Sequence, residues 1–170
     1  SVRIIPGAWN FRFKSLRDIP GSKDIVTAAA WTFAVVVLPA ISNSIYPGSV
    51  EIMGGAFTFI FVLSRTSLLA IGGIQSDKLI GPETFPALFG RKKTVKILYT
   101  ANISLALVIV FLALSKIIWI NTLILIVPVL YMLACIKYLG RKVQFFTLYH
   151  QMALDAVFFL TGLLAFLVSG

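Results

Sequence analysis

Apolar residues recur along this chain in long runs, cut at intervals by short clusters of charged residues, glycine and proline. A first run extends over about 25–41, entered after the breaker pair Pro20 and Gly21, with Asp24 placed to cap the helix. The polar turn from Ser42 to Glu51, holding Pro47 and Gly48, precedes a second run over about 53–71. A loop from Gly72 to Thr94 leads to a third run over about 95–114. A fourth covers about 120–138 with Pro128 in its middle, where the missing N–H predicts a kink, and a fifth covers about 145–168. Each is close to the roughly 20 residues that an α-helix needs to cross about 30 Å of hydrocarbon. The pattern predicts an all-α polytopic bundle of five transmembrane helices at 25–170, preceded by a basic segment at 1–24.

Composition supports lipid as the solvent. Of the 170 residues 59% are hydrophobic and 12% charged, against roughly 45–50% apolar content in ordinary soluble domains. The net charge of +9 does not describe a nucleic-acid binder, because such a protein gathers its Lys and Arg on one solvated face, and here they lie between apolar runs. Five alternating spans place Arg3, Arg12, Lys14, Arg17, Lys23, Lys78, Arg91, Lys92, Lys93, Lys96, Lys137, Arg141 and Lys142 on one side, with Lys116 alone on the other. Basic loops stay cytoplasmic. The expected topology therefore has the N-terminus in the cytoplasm and the C-terminus opposite, with the lipid bilayer as partner. The stretch before the first run is too long and polar for a signal peptide. Opening at Ser1 without a methionine suggests processing or a piece of a longer protein.

Two charged residues fall deep inside runs, away from their ends. Arg65 sits within the polar group Ser64 to Ser67, and Asp155 among apolar neighbours. A charge at a span's centre costs about 2.5–3.5 kcal/mol on insertion scales, so such residues pair, line a cavity or snorkel. Counting from the ends of their runs puts both at roughly 9–15 Å below the same surface at 1.5 Å per residue. Either they form an interhelical ion pair at the polar mouth of a cavity, or each reaches headgroup water separately. The solitary Cys135 excludes an internal disulfide, and His150 has no nearby partner set for a metal.

The loop after the second run reads Gly72-Gly73-Ile74-Gln75-Ser76-Asp77-Lys78-Leu79-Ile80-Gly81-Pro82-Glu83-Thr84-Phe85-Pro86, with Gly90 and Arg91 following. Ile74, Asp77, Lys78, Gly81, Thr84, Phe85, Pro86, Gly90 and Arg91 resemble the aspartate-rich segment at the end of the sixth helix in the UbiA superfamily of intramembrane prenyltransferases. Leu16 to Lys23 is similar to the connection before that family's fifth helix. The resemblance spans nearly the whole chain and corresponds to helices five to nine of a nine-helix fold.

It implies transfer of a prenyl group from prenyl diphosphate to an acceptor, often aromatic. It also implies Mg²⁺ held by aspartates, with Asp77 as metal ligand and Asp77 and Lys78 as catalytic residues. Arg65, Lys78, Arg91 and Asp155 would line the diphosphate and cavity site, and Phe57, Phe59, Phe61, Phe145, Phe146, Phe158 and Phe159 an isoprenoid cavity. The family's first two aspartates of this segment are replaced by Ala70 and Gly73, leaving Asp77 with Glu83 nearby. The family's other aspartate-rich motif lies before its third helix. The chain alone is thus expected to be incomplete, the second motif coming from another chain or a preceding half. A noncatalytic membrane subunit and a small transporter segment are the alternative readings.

Overall fold

The computed structural model describes residues 21–42, 48–72, 84–140 and 148–169. In chain order its helices are α1 (Ser22–Ser42), α2 (Ser49–Gly72), the short α3 (Phe85–Phe89), α4 (Arg91–Leu114), α5 (Ile120–Leu139) and α6 (Leu148–Ser169), and no strand occurs among the described residues. All but α3 are long and apolar enough to cross a membrane. The chain is a multi-pass membrane protein.

Helix α2 is the hub. It packs on α1, on α4 and on α3, and touches α5 and α6, while α4 packs on α5 and α5 on α6. The inward positions of α2 are Met53, Phe57, Phe61, Ser64, Leu68 and Ile71, and those of α4 are Thr94, Leu98, Asn102, Leu105, Ile109 and Ala113. Steps of three and four residues, mostly four, keep these positions on one face of each helix. Met132, Ile136, Leu154 and Val157 close the core from α5 and α6, each without exposed surface. Large apolar side chains cover the outside instead, among them Trp31, Leu107, Phe111, Phe159 and Phe166. In water that surface would aggregate. In hydrocarbon it needs no partner, because lipid tails are as apolar as the side chains.

Proline, glycine and charge refine the expected boundaries. Asp24 does not cap α1: the N-cap is Gly21 at φ 73°, the helix starts at Ser22, and Asp24 lies in its first turn with 2% exposure. Gly21 supplies the left-handed backbone at the N-cap, a conformation that glycine adopts without strain. The loop expected up to Thr94 is shorter than foreseen, since α3 forms inside it and α4 begins at Arg91, directly after Gly90 at φ 74°. Lys and Arg are good helix formers, so the helix continues past the apolar run that first marked it. Pro128 falls close to the point where the backbone of α5 changes from 3₁₀ to α. Residues Ile120–Leu125 form a 3₁₀ turn, the α-helical part starts at Ile126, and Pro128 falls in its first turn, where the missing N–H has no intrahelical acceptor to lose. Pro39 acts on α1 instead. It offers no donor and its ring crowds the preceding turn, and Phe33–Val37 widens into a π-helix in which Leu38 N–H reaches the Phe33 carbonyl.

Candidate functional site

The polar run Ser64 to Ser67 explains itself once successive residues are turned by about 100° around α2. Each side chain meets a different neighbour. Ser64 Oγ accepts from Asn102 Nδ2 of α4 at 2.8 Å, and Asn102 donates also to the Leu98 carbonyl at 2.9 Å. Arg65 Nε donates to Asp155 Oδ1 of α6 at 2.5 Å. Thr66 Oγ1 turns back to the Val62 carbonyl at 3.0 Å, within its own helix. Ser67 Oγ donates to Asp24 Oδ2 of α1 at 3.0 Å. Four consecutive residues thus serve three interhelical contacts and one local bond, which no apolar residue could do in a medium without water.

The Arg65–Asp155 pair is the interhelical form of the two alternatives left open by the sequence. Arg65 lies seven residues before the end of α2 at Gly72 and Asp155 seven after the start of α6 at Leu148, so both sit about 10 Å below one end of the bundle. The side chains remain 32% and 44% exposed. What they are exposed to is a cavity of about 600 Å³ between α1, α2 and α6. Its walls are Trp31, Phe57, Phe61, Phe158 and Phe159, with Phe57 and Phe61 stacked at 4.1 Å between ring centroids. Thr27, Thr58, Thr66 and Thr161 also line it, and the hydroxyls of Thr27, Thr66 and Thr161 each donate to the carbonyl four residues earlier, leaving methyl groups as their free surface. The cavity is therefore aromatic and aliphatic with one charged pair in its wall. Of the aromatics expected there, Phe57, Phe61, Phe158 and Phe159 take their places, Phe59 is not part of the lining, and Phe145 and Phe146 lie outside the described residues.

A second polar assembly lies at the end of the bundle formed by the start of α1, the end of α2 and the start of α4. Asp24 Oδ2 accepts from Ser67 Oγ and, at 2.9 Å, from the backbone N–H of Phe85 in α3. Thr84, 1% exposed, caps α3 by accepting from Ala87 N–H. Arg91 Nε donates to the Gly140 carbonyl at 2.9 Å and so ties α4 to the end of α5. Gly140 is held close: a Cβ there would strike the Ile136 carbonyl and come within 2.9 and 3.0 Å of the Val95 methyls. Asp77, Lys78, Glu83 and Gly73 lie outside the described residues, and Ala70 sits in the last turn of α2 without a metal donor. No group of three or more His, Cys, Asp or Glu that could hold a metal ion occurs among the described residues. Those residues do not form a Mg²⁺ site, and no chemical step is derived through one.

Three further residues complete the picture. Cys135 is a free thiol that shares a smaller cavity of about 390 Å³ with Tyr138 and His150 between α5 and α6. Asn102, wholly buried, keeps its Oδ1 without a hydrogen-bond partner. Asn102 is the polar residue that the sequence concealed, since it stands inside an apolar run, whereas Asp24 was expected as a cap and finds its partners on other helices.

Comparison with known proteins adds no relative. No protein family, curated protein or solved structure matches this chain. The likeness to the UbiA superfamily rests on the residues quoted above.

Proposed function

We propose that this chain is a UbiA-like membrane protein that receives the isoprenoid part of a prenyl diphosphate, for transfer of the prenyl group to an acceptor, often aromatic. In that reaction the allylic C–O bond breaks, diphosphate leaves, and the acceptor forms the new bond and loses a proton. The observation that supports the reading is the aromatic cavity of about 600 Å³ flanked by α2, with the Arg65–Asp155 pair in its wall. Sites for drug-sized apolar ligands have volumes of about 300–1,000 Å³ and few polar groups. The segment bearing Asp77 and Lys78 follows directly on α2, five residues beyond Gly72. Head-group chemistry would then occupy one end of the same helix whose flank meets the tail. That end carries the basic residues and faces the cytoplasm, with the C-terminus opposite. The carboxylates needed beside Asp77 for Mg²⁺ come, in this proposal, from a second chain or a preceding half.

A noncatalytic subunit is the second reading. It is favoured by Ala70 and Gly73 standing at the positions of two family aspartates.

Binding of farnesyl thiodiphosphate to the purified chain in detergent, with and without Mg²⁺, separates the two. Mg²⁺-dependent binding that is lost in Asp77→Asn and in the cavity-filling Thr58→Trp supports the prenyl reading. Absence of binding under both conditions refutes a working half-site in this chain and leaves either the noncatalytic reading or a piece that needs its other half.

A further inference from the structure

We propose that the exposed face of the first turns of α4, with the adjoining end of α5, is a docking surface for the head groups of anionic phospholipids in the leaflet at that end of the bundle. Lys92, Lys93 and Lys96 of α4 and Lys137 in the last turn of α5 are all exposed. Arg91 ties the two helix ends together through the Gly140 carbonyl. This role is independent of prenyl transfer.

Nothing in the described part of the protein neutralises these lysines. Asp24 is buried with Ser67 and Phe85, Asp155 is held by Arg65, and Glu51 stands at the start of α2, at the opposite end, where it accepts from Gly48 N–H. None of the four lysines forms an ion pair among the described residues. Local physics opposes their placement as well. The first turn of α4 holds no acidic residue, so its cations face the positive pole of the helix dipole, and Lys92 and Lys96 repel each other four residues apart. An anion outside the helix relieves both terms at once.

The surface below the cations identifies that anion as the head of a lipid. Lys92, Lys96, Tyr99, Ile103 and Leu107 succeed one another in steps of three and four, so they share one face of α4, and all five are exposed. Over about 22 Å this face changes from cation to tyrosine to aliphatic side chains. Helix α5, which runs the other way, repeats the order backwards from Lys137 and Tyr138 through Ala134 to Leu130 and Val127, again all exposed. Charged head groups, interface and hydrocarbon follow in the same order across a leaflet, with tyrosine at the interfacial level. A soluble phosphate would need the cations alone. The aromatic and aliphatic continuation fits a molecule that has both head and tail. Gly140 fixes the spacing of the two helices, because a Cβ there would come within 2.9 and 3.0 Å of the methyls of Val95, the neighbour of Lys96. Lys137 lies about 4.5 Å along α5 from that contact.

Native mass spectrometry of the whole chain, released from mixed detergent–lipid micelles, tests the surface by titrating phosphatidylglycerol against phosphatidylcholine, which carries no net charge. The unmodified chain is expected to retain the anionic lipid at least about tenfold more strongly. Lys92→Gln/Lys93→Gln/Lys96→Gln should weaken its binding by about fivefold per charge removed, on the order of a hundredfold in all, with phosphatidylcholine unaffected. The corresponding triple change to Arg should keep the binding, as should Lys116→Gln at the opposite end. Gln and Lys have similar helix propensities, so α4 should persist; if the triple variant does not fold, Lys96→Gln and Lys137→Gln carry the test with a loss of about fivefold each. Equal retention of the two lipids by the unmodified chain overturns the proposal. So does a loss in Lys116→Gln as large as that in Lys96→Gln, which would leave net charge as the cause. Displacement of phosphatidylglycerol by inorganic phosphate would assign the cations to a soluble anion and overturn the lipid.

Discussion

Removing the two members of the Arg65–Asp155 pair should have unequal consequences. The pair lies about 10 Å from the helix ends, at seven residues and 1.5 Å per residue. A lone Arg65 has a long stem and can carry its guanidinium toward headgroup water. A lone Asp155 has one methylene and cannot. Exposed pairs contribute about 0–1 kcal/mol, and breaking a fully buried one costs about 3–5 kcal/mol. At 32% and 44% side-chain exposure the pair stands between those limits. Asp155→Asn is therefore expected to destabilise by about 1 kcal/mol, and Arg65→Met by about 2–3 kcal/mol because it strands the carboxylate. The double variant Arg65→Met/Asp155→Asn should be less damaging than Arg65→Met alone, giving a coupling of about 1–2 kcal/mol in the double-mutant cycle. Unfolding in mixed micelles at increasing SDS fraction, read by far-UV circular dichroism, measures all three. Additive single effects, with coupling below about 0.5 kcal/mol, would falsify the ion pair as an energetic contact. Equal losses for the two singles would remove the snorkelling argument.

Other substitutions probe the helix seams and ends. Asn102→Leu removes the bond to Ser64 together with an unpartnered Oδ1; interhelical polar contacts in membranes average about 0.6 kcal/mol, so SDS titration should place this variant within about 1 kcal/mol of the parent. Gly140→Ala puts a methyl against the Ile136 carbonyl and Val95, and the same titration should read a loss of about 1–3 kcal/mol, the usual range for overpacking. Lys116 holds the left-handed position of a Schellman motif at φ 57°, with Lys116 N–H on the Ala113 carbonyl and Ile117 N–H on Leu112, both at 3.1 Å. Lys116→Gly removes a left-handed penalty of about 1–2 kcal/mol and adds unfolded-chain entropy of about 0.5–1 kcal/mol, so a rise in thermal stability in detergent by up to about 1 kcal/mol is expected. A loss would show that the Lys116 charge at the end of α4 matters more than its backbone.

Fold class and helix number were legible in the chain because the bilayer imposes one requirement on every span: backbone polar groups must bond within the segment and side chains must tolerate hydrocarbon. That requirement is local, about 20 residues long, and depends on composition alone. The same locality explains the errors at the edges. Arg91 to Lys93 belong to α4 although they are charged, because helix propensity continues where hydropathy stops. Pro128, near the centre of its apolar run, stands in the first α-helical turn after a 3₁₀ segment, a change of helix type that hydropathy does not mark. Arg65 and Asp155 could be singled out from the sequence and placed at similar depth, since depth follows from counting along a helix.

Partner choice did not follow from counting. Whether Arg65 meets Asp155, whether Asn102 meets Ser64, and whether Asp24 caps its own helix or clasps Ser67 and Phe85 depend on which helices neighbour one another and how each is rotated about its axis. Rotation is set by the steps of three and four residues along the seams of α2 and α4, and neighbourhood by the packing of helices far apart in the chain. An apolar run of one-dimensional text determines that a helix crosses the membrane, because lipid is the same on every side of it. Only the packed bundle decides what Arg65, Asn102 and Asp24 face, because side chains that cannot be satisfied within their own helix must, in the absence of water, find a partner on another.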